Sequence, residues 1–170
     1  GLNIVLNFNY TATPYKYLPE SFVAINIHGE FSNLENQIVF GYGDYENNDY
    51  KKIEAEDNND KLENIKLFKY KTSRSYSDLI DLIEHKNFNV HILGHSCGLS
   101  DRGILKEIFE REYCNKIYVY YFEYQDGEEL KDNYLDLVKN ISRCFISKQS
   151  YMRKVHPKDK DYIMPQIAKT

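Results

Sequence analysis

Three short polar stretches in this chain hold residue types that could do chemistry, and each follows an apolar run. Asn9-Tyr10-Thr11 comes after Leu2–Phe8, His28-Gly29 after Phe22–Ile27, and Gly94-His95-Ser96-Cys97-Gly98 after Asn89–Leu93. An amide such as Asn9 donates and accepts at once, so it can orient a water or a sugar hydroxyl. A histidine such as His28 takes and gives protons near neutral pH, and Gly29 beside it lets the backbone turn or a ligand come close. A glycine-rich turn such as Gly94–Gly98 offers backbone N–H groups and the Ser96 hydroxyl to a phosphate or ribose, helped by the dipole of a following helix. Asp101, at the start of that helix, reads either as a further ligand contact or as a cap.

The same residues support other readings. Gly94–Gly98 fits G-x-S-x-G, which would make Ser96 a nucleophile on a strand-to-helix turn. His156 is the only histidine after it, and Asp126, Asp132 or Asp136 would complete the order Ser, Asp, His. A third reading leaves every strand-end residue non-catalytic, serving structure or a partner. His91 and His95 have no carboxylate or cysteine partners at ligand spacing, so no metal centre is expected.

The elements that position these residues follow from the apolar patterning. Leu2–Phe8, Phe22–Ile27, Gln37–Phe40, Asn89–Leu93 and Lys116–Glu123 read as strands. Helices are expected near residues 76–86, with Ser75 or Ser77 as cap, and from about Ser100, burying Ile104, Leu105, Ile108 and Phe109. A third should open at Asp126, whose spacing to Glu129 resembles a capping box, and bury Leu130, Tyr134, Leu137, Val138 and Ile141. Helices alternating with strands over short connections predict an α/β sandwich with a mainly parallel sheet. Such sheets bind ligands beyond the carboxyl ends of their strands, where the three polar stretches stand.

Residues 1–145 therefore read as one α/β domain. Within it, residues 44–64 carry eight acidic residues against three lysines and are expected to form a mobile acidic loop. Residues 146–170, with six basic residues against two acidic, read as a basic, partly ordered tail. The whole chain has 170 residues and a formal charge of −4, which argues against general affinity for nucleic acid. No apolar run is long enough to span a membrane. The three cysteines form no CxxC pair, which fits a reducing cytoplasmic compartment.

Asn7-Phe8-Asn9-Tyr10-Thr11, Ile27-His28-Gly29, Phe40-Gly41 and Gly94-His95-Ser96 with Ser100-Asp101, in that order and spacing, resemble the bacteriophage abortive infection AbiH family. The family is associated with bacterial defence against phage. More remotely, the series is similar to the sirtuin-like NAD-binding fold, which implies a Rossmann-like sandwich and cleavage of NAD. That resemblance implies a catalytic pair, Asn9 and His28, with Gly29, Gly94, His95, Ser96 and Asp101 on the nucleotide side. Proteins of both kinds open with a glycine-rich strand-turn-helix that holds the phosphates, and none precedes Leu2. The chain is thus expected to be the C-terminal part of a longer protein. Its missing N-terminal segment would complete the pocket, and alone the chain should bind NAD weakly or not at all.

Overall fold

The structure, a computed structural model, describes residues 1–31 and 33–165. The chain divides into two compact units, Gly1–Glu84 and His85–Thr170.

In the first unit, β1 (Asn3–Asn7) and β2 (Phe22–Asn26) pair in parallel, in register from Asn3 opposite Phe22 to Asn7 opposite Asn26. Between them runs the short helix α1 (Thr13–Tyr17), which Pro14 opens at a position where a missing N–H costs nothing. The expected strand Gln37–Phe40 is irregular. Its backbone bonds go to the loop after β2 and not to a strand: the Val39 N–H donates to the His28 carbonyl (2.8 Å) and the Asn36 carbonyl accepts from Glu30 (3.0 Å).

Residues 44–64, read from sequence as a mobile loop, hold two helices, α2 (Asn48–Ala55) and α3 (Asn59–Leu62). Each begins at an asparagine cap. The Asn47 side chain accepts from the Asp49 N–H (2.8 Å), and that of Asn58 from the Asp60 N–H (3.0 Å). The Asn/Asp clusters that suggest disorder are thus helix starts. Tyr50 anchors α2, buried at its ring and donating its hydroxyl to Glu54 (2.8 Å). Helices α4 (Lys66–Lys69) and α5 (Ser75–Ile83) complete the unit, and α5 lays Leu79 and Ile83 towards β2.

In the second unit, β3 (Phe88–Ile92) pairs in parallel with β4 (Cys114–Val119). The connection is a 3-10 turn, Leu99–Asp101, running into α6 (Arg102–Glu110), whose Ile104, Leu105, Ile108 and Phe109 are buried as their spacing predicts. The helix expected from Asp126 is replaced at its start by an antiparallel hairpin, β5 (Glu123–Asp126) and β6 (Glu129–Asp132). Gly127 takes φ 62° at the first position of its two-residue turn, which favours a hairpin over a helix start. Leu130 is exposed in consequence. Helix α7 (Tyr134–Arg143) follows, burying Tyr134, Leu137, Val138 and Ile141.

The basic tail is tied down through Met164. Helix α8 (Lys148–Lys154) is capped by Ser147, whose Oγ accepts from the Ser150 N–H (3.1 Å). Val155 and Ile163 then make parallel bridges to Ile117 and Tyr121, along β4 and its continuation. Two of the tail's lysines serve helix ends: Lys154 Nζ donates to the Phe109 and Arg111 carbonyls (2.9 and 2.7 Å) at the end of α6. Lys148 does the same at the end of α7, to Ser142 and Phe145. Cations at carboxyl ends of helices satisfy orphan carbonyls and oppose the helix dipole. The charge of this segment therefore has a structural use. Residues 166–170 of the expected tail lie outside the described residues.

The protein is a mixed α/β structure with small sheets. In place of one mainly parallel sheet, the strands among the described residues form three two-stranded sheets, two parallel and one antiparallel. No helix among the described residues is long and apolar enough to cross a membrane.

Candidate functional site

Both strands of the first unit end in asparagine, and the register sets the two side by side. Asn7 is 6% and Asn26 2% exposed, so their amides must find partners within the protein. Asn7 Nδ2 donates to Asn26 Oδ1 (2.7 Å) and to the Thr11 carbonyl (3.0 Å), while its Oδ1 accepts from the Asn9 N–H (3.1 Å). Asn26 Nδ2 donates to Glu30 (3.1 Å), and its carbonyl accepts from the Asn36 side chain (3.1 Å). One pair of amides thus fixes the loops that leave both strands.

His28 and Lys66 are each 4% exposed, and they meet: Lys66 Nζ lies 3.2 Å from His28 Nε2. His28 Nδ1 lies 3.2 Å from the Phe8 carbonyl. A carbonyl only accepts and an ammonium only donates, so the proton sits on Nδ1 and the lone pair on Nε2. Rings surround the imidazole, with Phe8 edge-on (centroids 5.2 Å) and Tyr70 stacked (6.5 Å). Tyr10 lies 6.2 Å from it and continues outward to Phe31 (5.8 Å) and Phe40 (5.1 Å). Those two phenylalanines are 60% and 59% exposed, an aromatic shelf beside the strand ends. Asn9 is exposed, as an amide facing a ligand would be. Gly29, read from sequence as a nucleotide contact, is required by the chain itself. It has φ 79°, and a Cβ there would fall 2.2 Å from the Gln37 carbonyl oxygen.

In the second unit the loop after β3 is built differently. Gly94, with φ 67°, has open space where a Cβ would stand. His95 Nδ1 accepts from the Cys97 N–H (3.0 Å), which puts the ring proton on Nε2, 3.4 Å from Asp101 Oδ2. Ser100 Oγ reaches the same carboxylate oxygen (3.3 Å). Ser96 is exposed, and its carbonyl accepts from Asn140 on α7 (2.8 Å). Cys97 takes φ 52° and turns its thiol inward, where burial pushes its pKa up to about 12.

The family model described as bacteriophage abortive infection AbiH matches residues 2–123, from the start of β1 into β5. This chain belongs to the AbiH family. It is a phage abortive infection protein by family, and the match takes in both strand-end clusters. No curated protein and no solved structure matches it.

The serine-nucleophile alternative is not assembled in this AbiH protein. The backbone strain that a nucleophile elbow places at its serine falls on Cys97. His156 turns Nδ1 to the Pro157 carbonyl (2.9 Å) and packs its ring on Tyr118 and Tyr162 (5.1 and 5.5 Å). The candidate acids are engaged elsewhere: Asp126 with Lys131 (2.5 Å), Asp132 with Lys158 (2.6 Å) and Asp136 with Lys139 (3.1 Å). The Lys158 hydrogen bond is the main reason that the Asp132 carboxyl is held below its ordinary pKa. Among the described residues no group of three or more His, Cys, Asp or Glu gathers as a metal site.

Sequence reasoning missed Asn7, Asn26 and Lys66. The asparagines carry a usable signal: each closes an apolar run, Ile4-Val5-Leu6 in β1 and Phe22-Val23-Ala24-Ile25 in β2, with a polar residue that must be satisfied inside. Lys66 carries none, because a buried lysine among many surface lysines looks like any other.

Proposed function

We propose that this AbiH protein acts on a nucleotide at the ends of β1 and β2, and that NAD is its substrate. The carrying observation is His28: a buried imidazole of fixed tautomer, at the carboxyl ends of two parallel strands, beside an exposed aromatic shelf. Ligands of parallel α/β proteins bind at such ends. The exposed Phe31 and Phe40 rings suit a flat heterocycle, since stacking on an aromatic side chain needs no particular base.

The reading follows what a sirtuin-like NAD-binding fold implies for this cluster. Water adds to the ribose carbon as the bond to nicotinamide breaks, and the bond's electron pair leaves with nicotinamide. His28 accepts the proton that the water loses and returns it to solvent. Asn9 orients the water or a ribose hydroxyl with its exposed amide. The other sequence candidates, Gly94, His95, Ser96 and Asp101, lie in the second unit, and this reading gives them no part in the chemistry at β1 and β2.

The test is release of nicotinamide from NAD at saturating concentration, followed chromatographically with the wild-type chain, His28→Ala and Asn9→Ala. Turnover that both substitutions abolish is expected. Turnover that survives His28→Ala refutes the assignment.

A further inference from the structure

We infer that the Glu30 carboxylate and the exposed Phe31 and Phe40 rings bind a flat cation, the oxidised nicotinamide ring. The identity of the ligand rests on the nucleotide reading. The site itself rests on a carboxylate that no cation of the protein meets.

The loop that leaves β2 carries this carboxylate between His28-Gly29 and the shelf. Glu30 is half-buried, and its Oε2 accepts from Asn26 Nδ2 (3.1 Å). Asn26 is 2% exposed, and the Asn7 bond to its Oδ1 (2.7 Å) turns its amide nitrogen to Glu30. The backbone is pinned on both sides. The Glu30 N–H donates to the Asn36 carbonyl (3.0 Å), and the Phe31 N–H to the Tyr10 carbonyl (3.1 Å). A neutral amide thus holds this side chain, and no lysine or arginine pairs with it among the described residues. Residues 1–43 hold one lysine against three glutamates. The charge is felt nearby: after burial, the larger cause, it helps to raise the Tyr15 phenol above its ordinary pKa.

A half-buried carboxylate keeps part of its desolvation cost when only a neutral amide meets it, and a cation from outside offsets that cost. Next in the chain is Phe31, 60% exposed, and Phe40 is 59% exposed. Both lie against the Tyr10 ring (5.8 and 5.1 Å), at 63° and 53° to its plane. Aromatic faces carry negative charge and attract cations that sit over them. They also stack on flat rings, so carboxylate and shelf together select a ligand that is both planar and positive. The oxidised nicotinamide ring is such a group. The reduced ring is neutral, and so is free nicotinamide. The site therefore prefers NAD to NADH, and its hold weakens once the bond from nicotinamide to ribose is broken.

The experiment titrates the full chain with nicotinamide methylated on its ring nitrogen, a cation, and with nicotinamide, its neutral counterpart. Proton–nitrogen NMR follows the amides of Phe31 and Phe40. The wild type should bind the cation about tenfold more tightly than nicotinamide, or better. In Glu30→Gln, which keeps an acceptor for Asn26, that preference should fall to near one, and Phe31→Ala should weaken binding of the cation. NAD and NADH should show the same loss of preference in Glu30→Gln. Raising salt from about 10 mM to 1 M should shrink the wild-type preference, because salt screens the carboxylate. No shifts with the cation, equal binding of both rings, a preference that Glu30→Gln retains, or binding untouched by Phe31→Ala overturns the inference. Should Glu30→Gln fail to fold, a wild-type preference that salt leaves unchanged overturns it. If the wild type prefers the cation yet releases no nicotinamide from NAD, the cation site stands and the cleavage reading falls. If it cleaves NAD while binding both small rings alike, cleavage stands and the cation site falls.

Discussion

At the ends of β1 and β2 the chain buries two amides, an imidazole and an ammonium among aromatic rings. At the end of β3 it leaves Ser96 exposed and holds its loop by the local clasp of His95 with Cys97 and Asp101. Both loops stand where parallel strands stop, so topology alone does not distinguish them. The difference lies in what each would lose if it were apolar. Buried polar groups must be matched one by one, and a fold keeps such a cluster at a cost in stability that a purely structural loop avoids. The clasp of His95 with Cys97 and Asp101, in contrast, is made from residues close in sequence, and Asn140 on α7 ties the same loop through the Ser96 carbonyl.

The largest effect expected from this contrast is catalytic. His28→Ala should lower NAD cleavage by about 10²–10⁴-fold, the range for a general base, while Ser96→Ala leaves the rate within experimental error. Equal losses in both variants would erase the distinction between the two ends.

The next effect is on stability and concerns the amide pair. Asn26→Leu should destabilise the protein by about 1–3 kcal/mol in denaturant unfolding, because Asn7 Nδ2 is left without its 2.7 Å partner. Adding Asn7→Leu should recover part of that loss, since both ends of the bond are then apolar. A double variant as unstable as the sum of the singles would show that the amides act independently.

A smaller change is expected at the second loop. Asp101→Ala should cost about 0.5–1.5 kcal/mol, the worth of an ordinary hydrogen bond. Freed from its clasp, the loop should also expose Cys97 to thiol reagents. In the wild type that thiol should react slowly in mildly alkaline buffer, because burial holds its pKa at about 12. Labelling at the same rate in both proteins would mean that the clasp does not hold the loop. Ser96→Ala should be the mildest, within about 0.5 kcal/mol, because an exposed hydroxyl gives the fold little.

Much of the frame was legible in the sequence. The runs Leu2–Phe8, Phe22–Ile27 and Asn89–Leu93 fall on β1, β2 and β3, and the residues that periodicity assigns to the inner faces of α6 and α7 are buried, Leu130 apart. Errors arose where local chemistry outweighed pattern. Asn47 and Asn58 look like disorder by composition and act as caps. Asp126 and Glu129 imitate a capping box, yet Gly127 between them turns the chain into a hairpin. The candidate site divides in the same way. His28 announces itself by type and position, whereas its partnership with Lys66 joins residues far apart in sequence through a buried contact that no spacing rule encodes.

The central claim is that the nucleotide site of this AbiH protein lies at the ends of β1 and β2. Titration of the full chain with NAD, followed by amide proton–nitrogen NMR so that weak binding registers, tests it most directly. The account predicts shifts centred on the amides of Asn9, Gly29, Phe31 and Phe40, and their loss in His28→Ala. Shifts that leave these residues unmoved, or that persist unchanged in His28→Ala, would contradict it.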